Sequence, residues 1–228
     1  MKKKQAYKYK SKQIHGCTIS YGNAKVGGMM NESFDQRSCP IDCPCRNVCY
    51  VEGEKGFANR YKSALDAYKR NLDVYLSNPD EYFKSVRRMF EIARDLKTGV
   101  RMMVDGDSPD VNHFKGVIDI AREFPTVPVI WMTKAYAIVN TYCDTYTRES
   151  IPESVTVRFS AWKGYPMPNP YGFPVSEVIL EGSEAPEGYV LCLNQAAKRH
   201  GKKWQCRNCM EHKCGCFNRD ITIAFLKE

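Results

Sequence analysis

The chain has 228 residues, of which 43% are hydrophobic and 26% are charged. This length and composition predict a soluble globular protein whose core does not need metal in order to fold. No run approaches the roughly 20 apolar residues of a membrane span, and the lysine-rich start lacks the apolar segment of a secretory signal. We therefore expect a cytoplasmic protein with reduced thiols and no membrane partner.

The net charge of +8 is concentrated in two basic segments. Six lysines lie between Lys2 and Lys12, and a second basic run extends from Lys198 to Lys203. Segments of this kind attract phosphate backbones, so nucleic acid is a candidate partner. The competing interpretation is a set of solvated lysines, as is common near chain termini.

Four helices are predicted from apolar residues that recur every three or four positions. They span residues 57–76, 78–98, 108–121 and 134–146. Asn78 and Pro79 supply the cap and first turn of the second helix, and Gly99 ends it. The Gly- and Asn-rich residues 13–35 indicate a loop or an irregular strand.

Six strands are predicted. Five are short apolar runs at residues 100–105, 127–132, 154–160, 178–181 and 188–193, and a sixth is expected within residues 5–20. Their alternation with helices predicts βαβ units and a parallel sheet, which is the α/β class. A proline-rich loop from Trp162 to Pro170 follows the 154–160 strand in place of a helix, and such loops often cover a site.

Four of the eleven cysteines form a first cluster, which comprises Cys39, Cys43, Cys45 and Cys49. Thiolates this close in sequence are the usual ligands of zinc or of an iron–sulfur cluster. The spacing differs from the paired knuckles of zinc sites, so an iron–sulfur cluster is favoured over zinc. Cys43 and Cys45 are separated by one residue and can seldom both bind one small ion, so one of them is expected to be a spectator.

A second cluster lies past the last predicted strand and comprises Cys206, Cys209, Cys214 and Cys216. Cys206 and Cys209 have the C-x2-C spacing of a zinc knuckle, and Cys214 and Cys216 are separated by one residue. This arrangement suits a structural zinc and a second iron–sulfur centre equally. It could also lend one thiolate to the first cluster. His212 within it is either a substitute ligand or an exposed residue.

Polar residues follow three of the predicted strands. The turn Asp105–Asp107 ends one strand, Lys134 follows the next and Ser160 ends the third. Because the carboxyl ends of parallel strands meet at one edge, we expect these residues to face the first cysteine cluster. The acidic turn can bind an ammonium group or a cation, unless Asp107 only caps the following helix. Lys134 and Arg158 suit a bound carboxylate or phosphate, or a surface ion pair.

Together these motifs resemble the phage and bacterial gene product 88 proteins, a family similar to radical SAM enzymes. The resemblance rests on Gly22–Lys25, Cys39-Pro40, Cys45, Cys49-Tyr50, Gly106-Asp107, Thr133-Lys134, Ser160–Trp162 and the C-terminal cysteines. It implies that Cys39, Cys45 and Cys49 bind a 4Fe-4S cluster whose fourth iron binds S-adenosylmethionine. It also implies that Gly106-Asp107 contacts the methionine amine.

The resemblance further implies a partial (βα)6 barrel of radical SAM type. We accordingly divide the chain into a basic arm with the first strand (1–20), the partial barrel (21–195) and a Cys-rich metal-binding extension (196–228). The expected function is radical chemistry on an unknown substrate, started by cleavage of S-adenosylmethionine with an external electron donor. Two alternatives stay open: a zinc-stabilised nucleic-acid-binding protein and a non-catalytic iron–sulfur redox protein.

Overall fold

The computed structural model describes residues 11–23, 25–49, 51, 62–179 and 185–226. The basic arm over residues 1–10 and the predicted helix start at 57–61 lie outside these ranges. Residues 180 and 181, at the end of a predicted strand, also lie outside them. No described helix has the length and apolar character needed to cross a membrane.

The described residues form a mixed α/β fold around a nine-stranded sheet. The strands are β1 (Ser11–Ile14), β2 (Cys17–Ser20), β3 (Met30–Glu32), β4 (Val100–Met102), β5 (Val129–Thr133), β6 (Val155–Ala161), β7 (Val175–Ile179), β8 (Tyr189–Leu191) and β9 (Thr222–Leu226). The helices are α1 (Lys62–Ser77), α2 (Pro79–Asp95), α3 (Val111–Glu123), α4 (Tyr136–Tyr146), α5 (Leu193–Arg199) and α6 (Cys206–Glu211). The strand order is β1-β2-β3-β4-β5-β6-β7-β9-β8, antiparallel from β1 to β3 and parallel from β3 onward.

The predicted α/β class is confirmed, and the predicted parallel pairing is present from β3 onward, but the sheet of the described residues has nine strands rather than the expected six. The single strand expected within residues 5–20 is a hairpin, because His15 and Gly16 both have positive φ and turn the chain between β1 and β2. Strand β3 is only three residues long and lies in the segment predicted as a loop or an irregular strand. Strand β9, after the second cysteine cluster, is not predicted from the sequence.

Side chains alternate between two faces of the sheet. Val129 and Trp131 of β5 lie in the main hydrophobic core, where Trp131 packs against Phe114 of α3. Ile130 and Met132 point the other way and line a cavity. Because β3 to β7 are consecutive and parallel, right-handed crossovers place the intervening helices on one face. The other face is therefore left for the cavity.

The C-terminal segment crosses the cavity face and inserts β9 between β7 and β8. The prediction that the second cysteine cluster lies past the last strand is wrong, because β9 follows it. Arg158 of β6 is fully buried and holds this segment. Its guanidinium donates hydrogen bonds to the backbone carbonyls of Val175, Cys216, Asn218 and Ile221. The interpretation of Arg158 as a surface ion-pair residue is therefore wrong, and its guanidinium serves the fold.

A buried carboxyl group ties the first parallel strand to three helices. Glu32 of β3 accepts hydrogen bonds from Asn71 of α1 (3.2 Å) and from the Tyr82 hydroxyl of α2 (2.9 Å). The same hydroxyl lies 2.8 Å from Nε2 of His113 on α3, whose Nδ1 lies 2.7 Å from Oγ of Ser108. Burial raises the pKa of Glu32 to about 8 and lowers the pKa of His113 to about 3. Burial thus favours the neutral form of each group.

Replacing Glu32 with Gln should change how stability depends on pH. The folded protein holds the pKa of Glu32 at about 8, whereas an unfolded Glu titrates near 4.3. Between these two pKa values the folded chain keeps a proton on Glu32 that the unfolded chain has released. The contribution of neutral Glu32 to the free energy of unfolding is therefore fully present below about pH 4 and is lost as pH rises toward 8. As pH rises over this range, we expect the free energy of unfolding of E32Q to increase relative to that of the wild type, by on the order of 4 kcal/mol at the upper end. Thermal unfolding at a series of pH values measures the difference.

The matched control is Glu123→Gln. Glu123 is an exposed acid whose pKa is lowered by its hydrogen bond with Arg87, and an exposed pair of this kind contributes about 1 kcal/mol or less. Parallel stability curves for wild type and E32Q would contradict the buried, neutral state of Glu32.

Candidate metal and ligand site

The thiols of the first cluster meet in the loop after β3, at the carboxyl edge of the parallel strands. The Sγ atoms of Cys43 and Cys45 lie 3.4 Å apart, and the Cys39 thiol is hydrogen-bonded to Cys43. These hydrogen bonds lower the pKa of Cys43 and raise the pKa values of Cys39 and Cys45. The Sγ atom of Cys49 lies 4.0 Å from Oδ1 of Asp105. The four cysteines are free thiols, so they are chemically able to bind metal.

The cysteine loop is docked on the loop that follows β4. Ser33 Oγ accepts a hydrogen bond from the Val104 amide (3.0 Å), and Ser38 Oγ accepts one from the Asp107 amide (2.9 Å). Gly106 has a φ of +67°, and a Cβ atom there would lie 2.5 Å from Ser38 Oγ. Only glycine permits both the backbone conformation and this close approach. Gly106 therefore positions the cysteine loop.

The carboxylate of Asp107 is fully engaged within the protein. Its Oδ1 accepts hydrogen bonds from the Ser108 amide (2.8 Å) and the Thr133 hydroxyl (2.7 Å). Its Oδ2 accepts them from the amides of Lys134 (2.7 Å) and Ala135 (3.1 Å). Burial raises the pKa of Asp107, and the hydrogen bonds oppose that rise. Asp107 thus joins the loop after β4 to the loop after β5.

The two acids of the Asp105–Asp107 turn have different surroundings. The interpretation that Asp107 caps α3 is wrong, because the side chain of Asp110 caps that helix by accepting from the His113 amide. Asp107 instead binds the amides at the start of α4. Both acids interact electrostatically with the Cys39 thiol, and Asp105 also lies next to Cys49.

Lys134 and Ser160, from two strand ends, contact each other, and Lys134 also interacts with the first cluster. Lys134 Nζ donates to Ser160 Oγ at 3.1 Å and lies 5.8 Å from the ring centre of Trp162. The ammonium group is also close enough to Cys43 and Cys45 to interact with them electrostatically. The structure therefore gathers a cation, a hydroxyl and the thiols at one edge.

A cavity of about 1720 Å³ extends along the sheet face opposite α2, α3 and α4. Cysteines from two distant parts of the sequence line it. They are Cys39, Cys43, Cys45 and Cys49 from the first cluster, and Cys192, Cys206, Cys209 and Cys216 from the C-terminal part. At the edge of the first cluster, the hydroxyl of Tyr165 donates to Oδ1 of Asp42 at 3.0 Å. The predicted proline-rich loop is thereby attached to the cysteine loop.

The second cluster lies on α6 and the turn after it, and comprises Cys206, Cys209, Cys214 and Cys216. Trp204 Nε1 donates to the Cys209 sulfur at 3.1 Å, and the thiols of Cys209 and Cys214 are hydrogen-bonded. Cys192 joins this group, since it interacts electrostatically with Cys206 and Cys216. Sequence reasoning misses Cys192 because it stands alone in the chain, and its position directly after β8 is the signal that could have found it.

In the parts of the chain that the structure describes, no three Cys, His, Asp or Glu side chains converge tightly enough to hold a single metal ion. His212, the alternative ligand in the second cluster, is exposed. An iron–sulfur cluster is wider than one ion, because its thiolates bind different iron atoms. Its ligands therefore need not converge on a single point.

A protein-family model described as gene product 88 matches residues 1–215 of the chain. The matched range contains the whole first cluster and all cysteines of the second except Cys216. No curated protein and no solved structure matches the chain.

Replacing Asp107 with Asn should destabilise the metal-free protein. One amide oxygen cannot accept the hydrogen bonds that Asp107 receives from Ser108, Thr133, Lys134 and Ala135, and the new NH2 group would face amide donors. We expect a loss of about 2–4 kcal/mol in the free energy of unfolding, measured with urea.

Asp119→Asn is the matched control, because Asp119 pairs with Lys115 and Arg122 on the protein surface. Its replacement should cost about 1 kcal/mol or less. Equal losses in the two variants would contradict the role given to Asp107.

Proposed function

The chain belongs to the gene product 88 family, and we propose that it is an iron–sulfur enzyme of radical SAM type. Cys39, Cys45 and Cys49 would hold a 4Fe-4S cluster that leaves one iron open to S-adenosylmethionine. The observation that carries the proposal is the meeting of these free thiols with Asp105 and Lys134 at one end of a large cavity.

The donor set suits an iron–sulfur cluster better than a zinc ion. Two thiolates on one tetrahedral zinc lie about 3.8 Å apart, because each Zn–S bond is about 2.3 Å long. The 3.4 Å between Cys43 and Cys45 is shorter, which supports a site in which only one of these two sulfurs is a ligand. With Cys43 as the spectator, three thiolates remain and one coordination position stays open.

Residues beside the thiols supply complementary groups for an amino acid. The carboxylate of Asp105 suits an ammonium group, while the cation of Lys134 and the hydroxyl of Ser160 suit a carboxylate. Asp107 is assigned to positioning, since both of its oxygens accept hydrogen bonds from the protein. When bound, the cluster supplies the electron that cleaves S-adenosylmethionine and so starts radical chemistry.

The fold supports this proposal in two ways. Consecutive parallel strands from β3 to β7, with α2, α3 and α4 in three of the connections, suit a partial (βα)6 barrel of radical SAM type. The cavity of about 1720 Å³ exceeds the roughly 300–1,000 Å³ of an ordinary ligand pocket, so it has room for a second molecule as substrate. The proline-rich loop, held by Tyr165 and Asp42, would help to exclude water. An external electron donor and a reducing compartment such as the cytoplasm belong to the same proposal.

Cys45→Ala and Cys43→Ala form a matched pair in the same loop. After anaerobic purification with iron and sulfide, we expect C45A to lose about four irons per chain relative to the wild type. C43A should keep them, because Cys43 is the spectator. Iron, sulfide and zinc counts with visible absorbance give the result. A colourless, zinc-containing wild type, or iron loss in C43A alone, would refute the assignment.

Turnover of S-adenosylmethionine is the second test. Wild-type protein with a complete cluster and dithionite should release 5′-deoxyadenosine, and C45A should release none. A fully loaded wild type that releases none would leave a non-catalytic iron–sulfur redox protein as the function.

A metal-stabilised nucleic-acid-binding protein is the candidate from a different class. The observation in its favour is that residues 198–203, four of them Lys or Arg, are exposed at the end of α5 and in the loop that leads to α6. Strongly salt-dependent binding of RNA or DNA, lost when Lys198, Lys202 and Lys203 are replaced by Glu, would support it.

A further inference from the structure

Five sulfurs, rather than the four of the sequence motif, belong to the C-terminal thiol group. Cys192 follows β8 directly and is 6% exposed. It interacts electrostatically with Cys206 and Cys216, and these two interact with each other. The fifth member therefore comes from the end of a strand, whereas the other four lie on α6 and the turn after it.

The cavity separates these five sulfurs into two sets. Cys192, Cys206, Cys209 and Cys216 line it. Cys214 does not belong to the lining, and its thiol is hydrogen-bonded to Cys209. A set of metal ligands that faces the cavity thus includes Cys192, which lies outside the sequence motif, and excludes Cys214, which belongs to the motif.

A cation or a hydrogen-bond donor lies beside three of the four sulfurs. Lys25 and Arg101 interact electrostatically with Cys206, and Arg158 does so with Cys216. The indole N–H of Trp204 points at the Cys209 sulfur from 3.1 Å. A buried cysteine that only fills space behaves as a small apolar side chain. Several cations and an N–H donor instead suit sulfurs that carry negative charge, as metal-bound thiolates do.

The chain around these sulfurs is held rigidly. Met210 of α6 would clash with any side chain at position 99, where a Cβ atom would lie 2.5 Å from its Sδ. The Cys206 amide donates to the Lys25 carbonyl at 3.0 Å, and Arg158 binds the Cys216 carbonyl at 2.8 Å. These contacts fix α6 and the following turn against the sheet independently of the first cluster.

We propose that Cys192, Cys206, Cys209 and Cys216 hold a second thiolate-bound metal centre inside the cavity, and that Cys214 is not a ligand. The chemical class of the ligand is an iron–sulfur cluster, because no three Cys, His, Asp or Glu side chains of the described residues converge on one metal ion, whereas the thiolates of a cluster bind different iron atoms. This centre does not depend on S-adenosylmethionine chemistry at the first cluster.

The test uses the full chain in a C45A background, so that metal at the first cluster does not contribute. Iron, sulfide and zinc are counted per chain after anaerobic purification. We expect metal in C45A and in C45A/C214A, and its complete loss in C45A/C192A. Far-UV circular dichroism checks that each variant is folded. Metal retained in C45A/C192A, metal lost in C45A/C214A, or no metal in folded C45A would overturn the proposal.

Visible absorbance after anaerobic loading with iron and sulfide gives a second measurement if C192A does not fold. Cys192→Ser keeps the size of the side chain and removes the sulfur. In the C45A background, we expect it to lose most of the visible iron–sulfur absorbance, because one of the four thiolate ligands is removed. An unchanged spectrum would refute Cys192 as a ligand, and an unchanged spectrum with Cys214→Ser supports its exclusion. Loss of the first cluster alone would refute the proposed enzyme and leave this centre standing.

Discussion

The arrangement of the cavity depends on one buried cation. Arg158 carries its guanidinium into the interior, where backbone carbonyls replace water as its partners. Burial lowers the pKa of Arg158, but a guanidinium remains charged at any physiological pH. Because three of its four carbonyl partners belong to residues 216–221, the side chain fixes the segment between α6 and β9 against the sheet. An apolar side chain at this position would leave those buried carbonyls without the donors that the guanidinium supplies.

This fixed segment places two groups of thiols around one cavity. The first group lies on a loop that is held by side-chain oxygens of Ser33 and Ser38 and by the absence of a side chain at Gly106. The second lies on the C-terminal segment that Arg158 holds. The two groups also differ in their charged neighbours. Asp105, Asp107 and the cation of Lys134 accompany the first, whereas cations and an indole donor without a nearby acid in these interactions accompany the second.

Much of the fold follows from local patterns. The periodic apolar residues of α2 and the side-chain cap of Asn78 are features of a short stretch of chain, and both are present in the structure. Strands β4, β5 and β6 are also local, since their runs of apolar residues are buried on both faces or nearly so. The terminal strand β9 is not predicted, and the segment of β3 is predicted only as a loop or an irregular strand, because neither pattern is long enough to distinguish a strand from a loop. They become strands by pairing with neighbours that the sequence does not identify.

In the candidate site, too, some features follow from local sequence and others depend on the tertiary structure. The sequence by itself determined the first cysteine cluster, the acidic turn and the lysine and serine at the strand ends, because parallel βαβ units bring such positions to one edge. Only the tertiary structure decided what each side chain does. Asp107 holds two loops together, because its carboxylate accepts hydrogen bonds from its own loop after β4 and from the loop after β5. Asp105 instead lies next to the Cys49 thiol. The buried guanidinium of Arg158 binds backbone carbonyls of the C-terminal segment, and Cys192 belongs to the second group of thiols. In both cases the partners lie many residues away in the chain. Contacts over such separations depend on how the whole sheet packs, and no local spacing encodes them.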